Sequence, residues 1–160
     1  MKFSKILILL AFSVTALFSC KDKAVETRTK TELMAGTSSK SWKITKGEAS
    51  NGGLKIDVLA TQQACVTDNV LTFNSSGTYD IKEGATKCNA SDPELMLTAN
   101  WTFMENETKF KIDRIVFMGF EMKDTVFEIV ELTDNIFTGK TSISLNGDTF
   151  QLIATFQAVK

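Results

Sequence analysis

Ile136-Phe137-Thr138-Gly139-Lys140-Thr141-Ser142-Ile143-Ser144-Leu145 runs into Asn146-Gly147 and returns as Asp148-Thr149-Phe150-Gln151-Leu152-Ile153-Ala154-Thr155-Phe156. Two alternating runs split by Asn-Gly are a strong hairpin signal, because both turn positions tolerate the positive φ of a type I′ turn. Centring the turn there pairs Leu145 with Asp148, Ile143 with Phe150, Thr141 with Leu152, Gly139 with Ala154 and Phe137 with Phe156. Phe137, Ile143, Phe150, Leu152 and Phe156 then share one face, and Ser142, Ser144, Gln151, Thr155 and Gln157 share the other. A slip of one residue would turn every phenylalanine outward, so the register is strongly specified. A sheet with one dry and one wet face must close on itself or be covered.

Working outward from this hairpin, the same period of two recurs along the chain. It predicts strands at 41–46, 54–59, 70–74, 78–82, 98–104, 109–113, 115–117, 125–132, 136–144 and 149–158. Asn51-Gly52-Gly53, Ser75-Ser76-Gly77 and Glu105-Asn106-Glu107 punctuate them, and the single proline, Pro93, falls in a loop. Short links imply that successive strands are neighbours. An all-β, antiparallel up-and-down barrel of roughly eight to ten strands is expected, with a short helical turn near Glu32 to Ala35 ahead of it.

The N-terminus carries a different signal. Lys2 and Lys5 precede an apolar run from Ile6 to Ala16, and Leu17-Phe18-Ser19-Cys20 follows. This is signal-peptide anatomy, and the run is shorter than the roughly 20 apolar residues that a helix needs to cross hydrocarbon. A leucine three residues before a cysteine, with a small residue adjacent, resembles the lipobox of bacterial lipoproteins. That resemblance implies cleavage after residue 19, acylation of Cys20 and a membrane partner reached through the lipid. Residues 1–19 are then the signal, 20–32 a polar, flexible tether and 33–160 one domain, large enough for a single core.

Composition excludes several functions. The formal charge is −1 over 160 residues, and losing Lys2 and Lys5 makes the remainder more acidic. With no basic stripe, a nucleic-acid partner is not expected. Histidine is absent, which removes the commonest general base and the commonest zinc ligand together. No nucleophile motif, metal cluster or cofactor motif is read. Asp113, Glu121, Asp124, Glu128 and Glu131 could in principle pair as acid and base, but Glu128 and Glu131 read as solvated strand positions. The chain is therefore not expected to be an enzyme.

Beyond Cys20, the cysteines are Cys65 and Cys88, an even number in an exported and oxidising setting. A tight turn at Asn74-Ser75-Ser76-Gly77 sets Asn74 opposite Thr78, which carries Cys65 to the level of Lys87, one place from Cys88. A Cys65–Cys88 disulfide would close the open end of that hairpin; two free thiols are the alternative.

Cys65-x-x-Asp68, Leu71-Thr72-Phe73, Gly77-Thr78-Tyr79, Glu83-Gly84 and Cys88 form an ordered set. Lys40-x-Trp42-Lys43-Ile44 precedes it, and Trp101-x-Phe103 and Phe127-Glu128-Ile129-Val130-Glu131-Leu132-Thr133 follow. This order resembles the lipocalin-like domain lipoproteins common in the Bacteroidetes group. The resemblance implies a lipocalin-like barrel on a lipid anchor in the bacterial cell envelope, on the periplasmic or surface face of the outer membrane.

Two functional expectations follow. In the first, the barrel binds a small apolar ligand in a cavity walled by Trp42, Trp101, Phe103, Phe110, Phe137, Phe150, Leu152 and Phe156. In the second, those side chains fill the interior. The protein then acts as an interaction or inhibitory lipoprotein on an envelope protein partner, through the loop from Gly84 to Leu97 or an apolar patch at Met118, Phe120 and Met122.

Overall fold

The computed structural model describes residues 28–117, 119–145 and 147–159. The signal peptide, Cys20 and the tether up to residue 27 lie outside the described residues. The chain opens with helix α1 (Lys30–Ala35), capped by Thr29, whose hydroxyl accepts from the Glu32 amide while the Glu32 carboxylate accepts from the Thr29 amide. Such a capping box satisfies two of the amides left free at a helix start. The backbone hydrogen bond from Thr29 holds the Glu32 carboxyl below its ordinary range. The helix thus begins at Lys30, inside the stretch expected as tether, and its start is fastened to the barrel: Lys30 Nζ donates to the Glu107 carbonyl at 2.6 Å, and Arg28 pairs with Asp134.

Nine strands follow: β1 (Ser39–Asn51), β2 (Leu54–Asp57), β3 (Val70–Asn74), β4 (Thr78–Lys82), β5 (Leu95–Met104), β6 (Lys109–Phe117), β7 (Phe120–Leu132), β8 (Ile136–Leu145) and β9 (Asp148–Ala158). A short helical turn, α2 (Ala64–Thr67), lies between β2 and β3. From β3 to β9 each strand pairs antiparallel with its sequence neighbour, and β1 closes the ring by pairing with both β3 and β9. Eight strands make the barrel. β2 pairs only with the last residues of β1, as a hairpin beyond the point where β3 leaves it. This is the antiparallel up-and-down barrel expected from the sequence.

The β8–β9 register is Leu145↔Asp148, Ile143↔Phe150, Thr141↔Leu152, Gly139↔Ala154 and Phe137↔Phe156. Each pair agrees with the sequence reading, and Gly147 takes φ 90° as the turn requires. The β3–β4 hairpin also has its expected register, with Leu71 opposite Ile81.

One expectation is corrected. Residues 109–113 and 115–117 are a single strand, β6. Arg114 breaks the alternation, since Ile112 and Ile115 are both buried although three apart, which a regular strand does not allow. The strand continues by reversing its phase there, where Arg114 pairs with Lys123 and the next residue of β7, Asp124, adopts φ 48°. At the same place the carbonyl of Arg114 accepts a hydrogen bond from the Tyr79 hydroxyl.

The core is a run of interlocked rings. Trp101 meets Phe73 edge-on at 5.4 Å, Phe73 stacks on Tyr79 at 5.5 Å, and Phe110 stacks on Phe127 at 5.0 Å. Phe137 meets Phe110 edge-on at 5.4 Å, stacks on Phe156 at 5.4 Å and meets Trp42 edge-on at 6.0 Å. Gly139 faces inward, where an added Cβ would lie 3.3 Å from the Phe137 ring and 3.6 Å from Phe127. Its missing side chain makes room for the rings. At this end α1 lies across the barrel, with the Trp42 indole donating to the Met34 carbonyl at 2.9 Å and Met34 fully buried.

Candidate functional site

The two ends of the barrel differ. The end under α1 carries the β3–β4, β5–β6 and β7–β8 turns and is closed. The opposite end carries the β1–β2 hairpin, α2, the loop between β4 and β5, and the β6–β7 turn. There the barrel is open to a cup of about 390 Å³, within the range of about 300–1,000 Å³ usual for small-molecule sites.

The floor and inner wall of the cup are Ile44, Leu71, Ile81, Phe117 and Phe156. Its rim is Val66, Pro93, Met96, Val116 and Gly119, with the Cys65–Cys88 disulfide on one side. Asn69, Glu83 and Asp92 are its polar members. Beneath the floor lies a void of about 20 Å³, walled by Phe110, Phe127, Phe137 and Leu152 among others. That is room for about one water molecule.

The wall of the cup is held by a clasp that explains the Cys65-x-x-Asp68 spacing. Three residues apart on the helical turn α2, Cys65 and Asp68 lie on one side of it. Cys65 is bonded to Cys88, with the two Cα atoms 5.2 Å apart. Asp68 Oδ2 accepts from the Thr86 amide and hydroxyl, each at 2.8 Å. Both bonds draw α2 onto the loop after β4. Gly84 lies between them, and a Cβ there would collide with the Asp68 carbonyl and carboxylate. The expected hairpin-end geometry is replaced by a helical turn at Cys65, but the disulfide is the expected one.

The residues expected to wall a cavity separate into two groups. Phe156 lines the cup. Trp42, Trp101, Phe110, Phe137 and Leu152 are buried in the filled part of the barrel; Phe103 is half-buried and packs edge-on against Trp101 at 5.2 Å. Phe150 is half-buried at the start of β9, away from the walls of the cup. The correction has a physical cause. A buried phenylalanine contributes about 1.5–3 kcal/mol, so rings that can meet pack together and leave the opening to smaller side chains near the strand ends. The interior is filled below and open above.

Sequence reasoning passed over Ile44, Leu71, Ile81, Met96, Val116 and Phe117 as cup residues, and it met Glu83 only as part of a pattern. Alternation could have found Glu83, since Tyr79, Ile81 and Glu83 fall on one face and all three are buried. Of the patch expected at the β6–β7 turn, Phe120 is 53% exposed, Met122 packs against the core and Met118 is outside the described residues.

None of the carboxylates considered for acid–base work lines the cup. Glu121 pairs with Arg114 at 3.0 Å, Asp124 with Lys111 at 2.5 Å and Glu128 with Lys140 at 3.0 Å, all on the outer surface. The Arg114 hydrogen bond holds the Glu121 carboxyl below its ordinary range.

No protein-family model matches the chain, and no curated protein matches it. Among solved structures it is similar to bovine odorant-binding protein in complex with its natural ligand, with a TM-score of 0.46 and 17% identity over 84% of this chain and 76% of that one. The same protein in complex with undecanal gives a TM-score of 0.46 and 16% identity, again over 84% and 76%. With a selenium-containing odorant the values are 0.45 and 16%, over 84% and 74%. The likeness is distant, and the functional reading rests on the cup itself.

Proposed function

We propose that this chain is an exported binding module that holds a small, largely apolar molecule in the open end of its barrel. The observation that carries this reading is the cup: apolar walls, a few polar groups and a rim fastened on one side by the disulfide, placed above a floor of interlocked rings. Ligand sites generally combine these features. The module is carried on a membrane of the bacterial cell envelope by acylation of Cys20, a reading supported by the lipobox-like sequence at residues 17–20.

Binding is tested by titrating the protein with the fluorescent apolar probe N-phenylnaphthylamine. Both tryptophans lie toward the closed end, so an added probe reports on the cup better than intrinsic fluorescence. Val116 is 37% exposed on the rim, and Val116→Trp puts an indole over the opening without disturbing the core. Saturable binding by the native protein is expected, weakened at least about tenfold in Val116→Trp at an unchanged unfolding midpoint, a loss of about 1.4 kcal/mol. Absence of saturable binding, or equal binding by the variant, would remove the cup as the site.

A further inference from the structure

Glu83 and Thr138 are the buried polar residues among those described, and Glu83 is only 7% exposed. It follows β4 in phase with Tyr79 and Ile81, both buried, so its side chain continues the inward-facing row and becomes part of the cup wall. Its Oε2 is buried without a hydrogen-bond partner, and so is Oδ1 of Asn69, another member of the wall. The backbone of Glu83 is meanwhile tied down, its amide donating to the Glu94 carbonyl at 2.9 Å. Oδ1 of Asp68, in the clasp, is a third such atom; Glu83 and Asn69 are the two of these residues that line the cup.

A carboxylate oxygen buried without a partner is costly, because it has given up water and received nothing in return. Among the described residues no lysine or arginine lines the cup; Asp92 adds a second carboxylate instead. Lys87, in the adjoining loop, is committed elsewhere, to the Glu94 carboxylate at 2.9 Å and the Asp92 carbonyl at 2.7 Å. A molecule that enters the cup and donates hydrogen bonds can supply that donor.

We propose that the cup selects amphipathic molecules whose polar end donates hydrogen bonds, a protonated primary amine above all, with that end on Glu83 and Asn69 and the hydrocarbon on Leu71, Phe117 and Phe156. The proposal rests on the reading of the cup as a binding site and adds the chemistry of the ligand's head. Ammonium on carboxylate forms charge-assisted hydrogen bonds, which are about twice as strong as neutral ones. A carboxylate head of the same length meets only acceptors and like charge. The cup thus discriminates by repulsion as well as by attraction.

The test displaces N-phenylnaphthylamine from the native protein with octylamine, octanol and octanoate at neutral pH, below their micelle concentrations. Octylamine is expected to bind at least about tenfold more tightly than octanoate, with octanol between them. In Glu83→Gln, a change of nearly the same shape, the amine should lose about tenfold while octanol moves little. Equal binding of the three by the native protein would overturn the proposal and leave the cup standing as an apolar site. An amine preference that survives Glu83→Gln would overturn the role of Glu83. Failure of the probe itself to bind would instead remove the cup. The native ranking does not depend on how well the variant folds.

Discussion

Tyr79, the only tyrosine in the chain, is fully buried and donates its hydroxyl to the Arg114 carbonyl. Burial pushes its phenol well above the ordinary value, while the nearby Arg114 charge acts weakly the other way. A folded pKa above the unfolded one, about 10 for a phenol, means stability that is complete below pH 10 and drains as pH rises toward the folded value. Because one phenol gives the whole signal, the titration is unusually clear. Phenolate absorbance should stay absent from the folded protein well above pH 10 and should appear together with loss of circular dichroism. Phenolate at an ordinary pKa with the fold intact would show that Tyr79 is accessible. The same residue shows a limit of pattern reading. Alternation places Tyr79 inward, but its partner is a backbone carbonyl at the phase reversal of β6, which no local pattern reveals.

Among the elements, the clasp between α2 and the loop after β4 is the least expected. The sequence brings Cys65 near Cys88 by extending a hairpin, whereas the structure does so with one helical turn that aims Cys65 and Asp68 the same way. With the cysteines 23 positions apart in sequence, the bridge should contribute roughly 3 kcal/mol by restricting the unfolded chain. A Cys65→Ser/Cys88→Ser double variant should therefore lose roughly 3 kcal/mol of unfolding free energy in urea and weaken probe binding, because one side of the cup is released. Asp68→Asn should act in the same direction, by about 1 kcal/mol, since it weakens two charge-assisted hydrogen bonds near the surface. An unchanged urea midpoint in the double variant would show that the bridge fastens nothing. By contrast, the β8–β9 hairpin is readable in full from its residues. Asn146-Gly147 and strict alternation leave one register that keeps the rings on one side.

In the whole molecule the barrel is divided by function along its axis. Helix α1 and the aromatic floor close one end and carry the packing, while the disulfide-bound end keeps the space. Arg28 and Lys30 fasten the start of the described chain to the closed end of the barrel, away from the cup. Cys20→Ala should release the protein from the membrane fraction into the soluble one while probe binding by the domain is unchanged. Retention in the membrane fraction would require another anchor. What the residues settle locally is the class of fold, the antiparallel order and two hairpin registers, because period two and turn chemistry act over short stretches of chain; the Cys65–Cys88 bond, one of two alternatives in the sequence, is decided by the structure. The place of the cup, the filling of the lower barrel by the rings first expected to wall a cavity, and the unpartnered carboxylate of Glu83 arise only when eight strands close. Empty space is what remains after every side chain is packed, so no single stretch of sequence contains it.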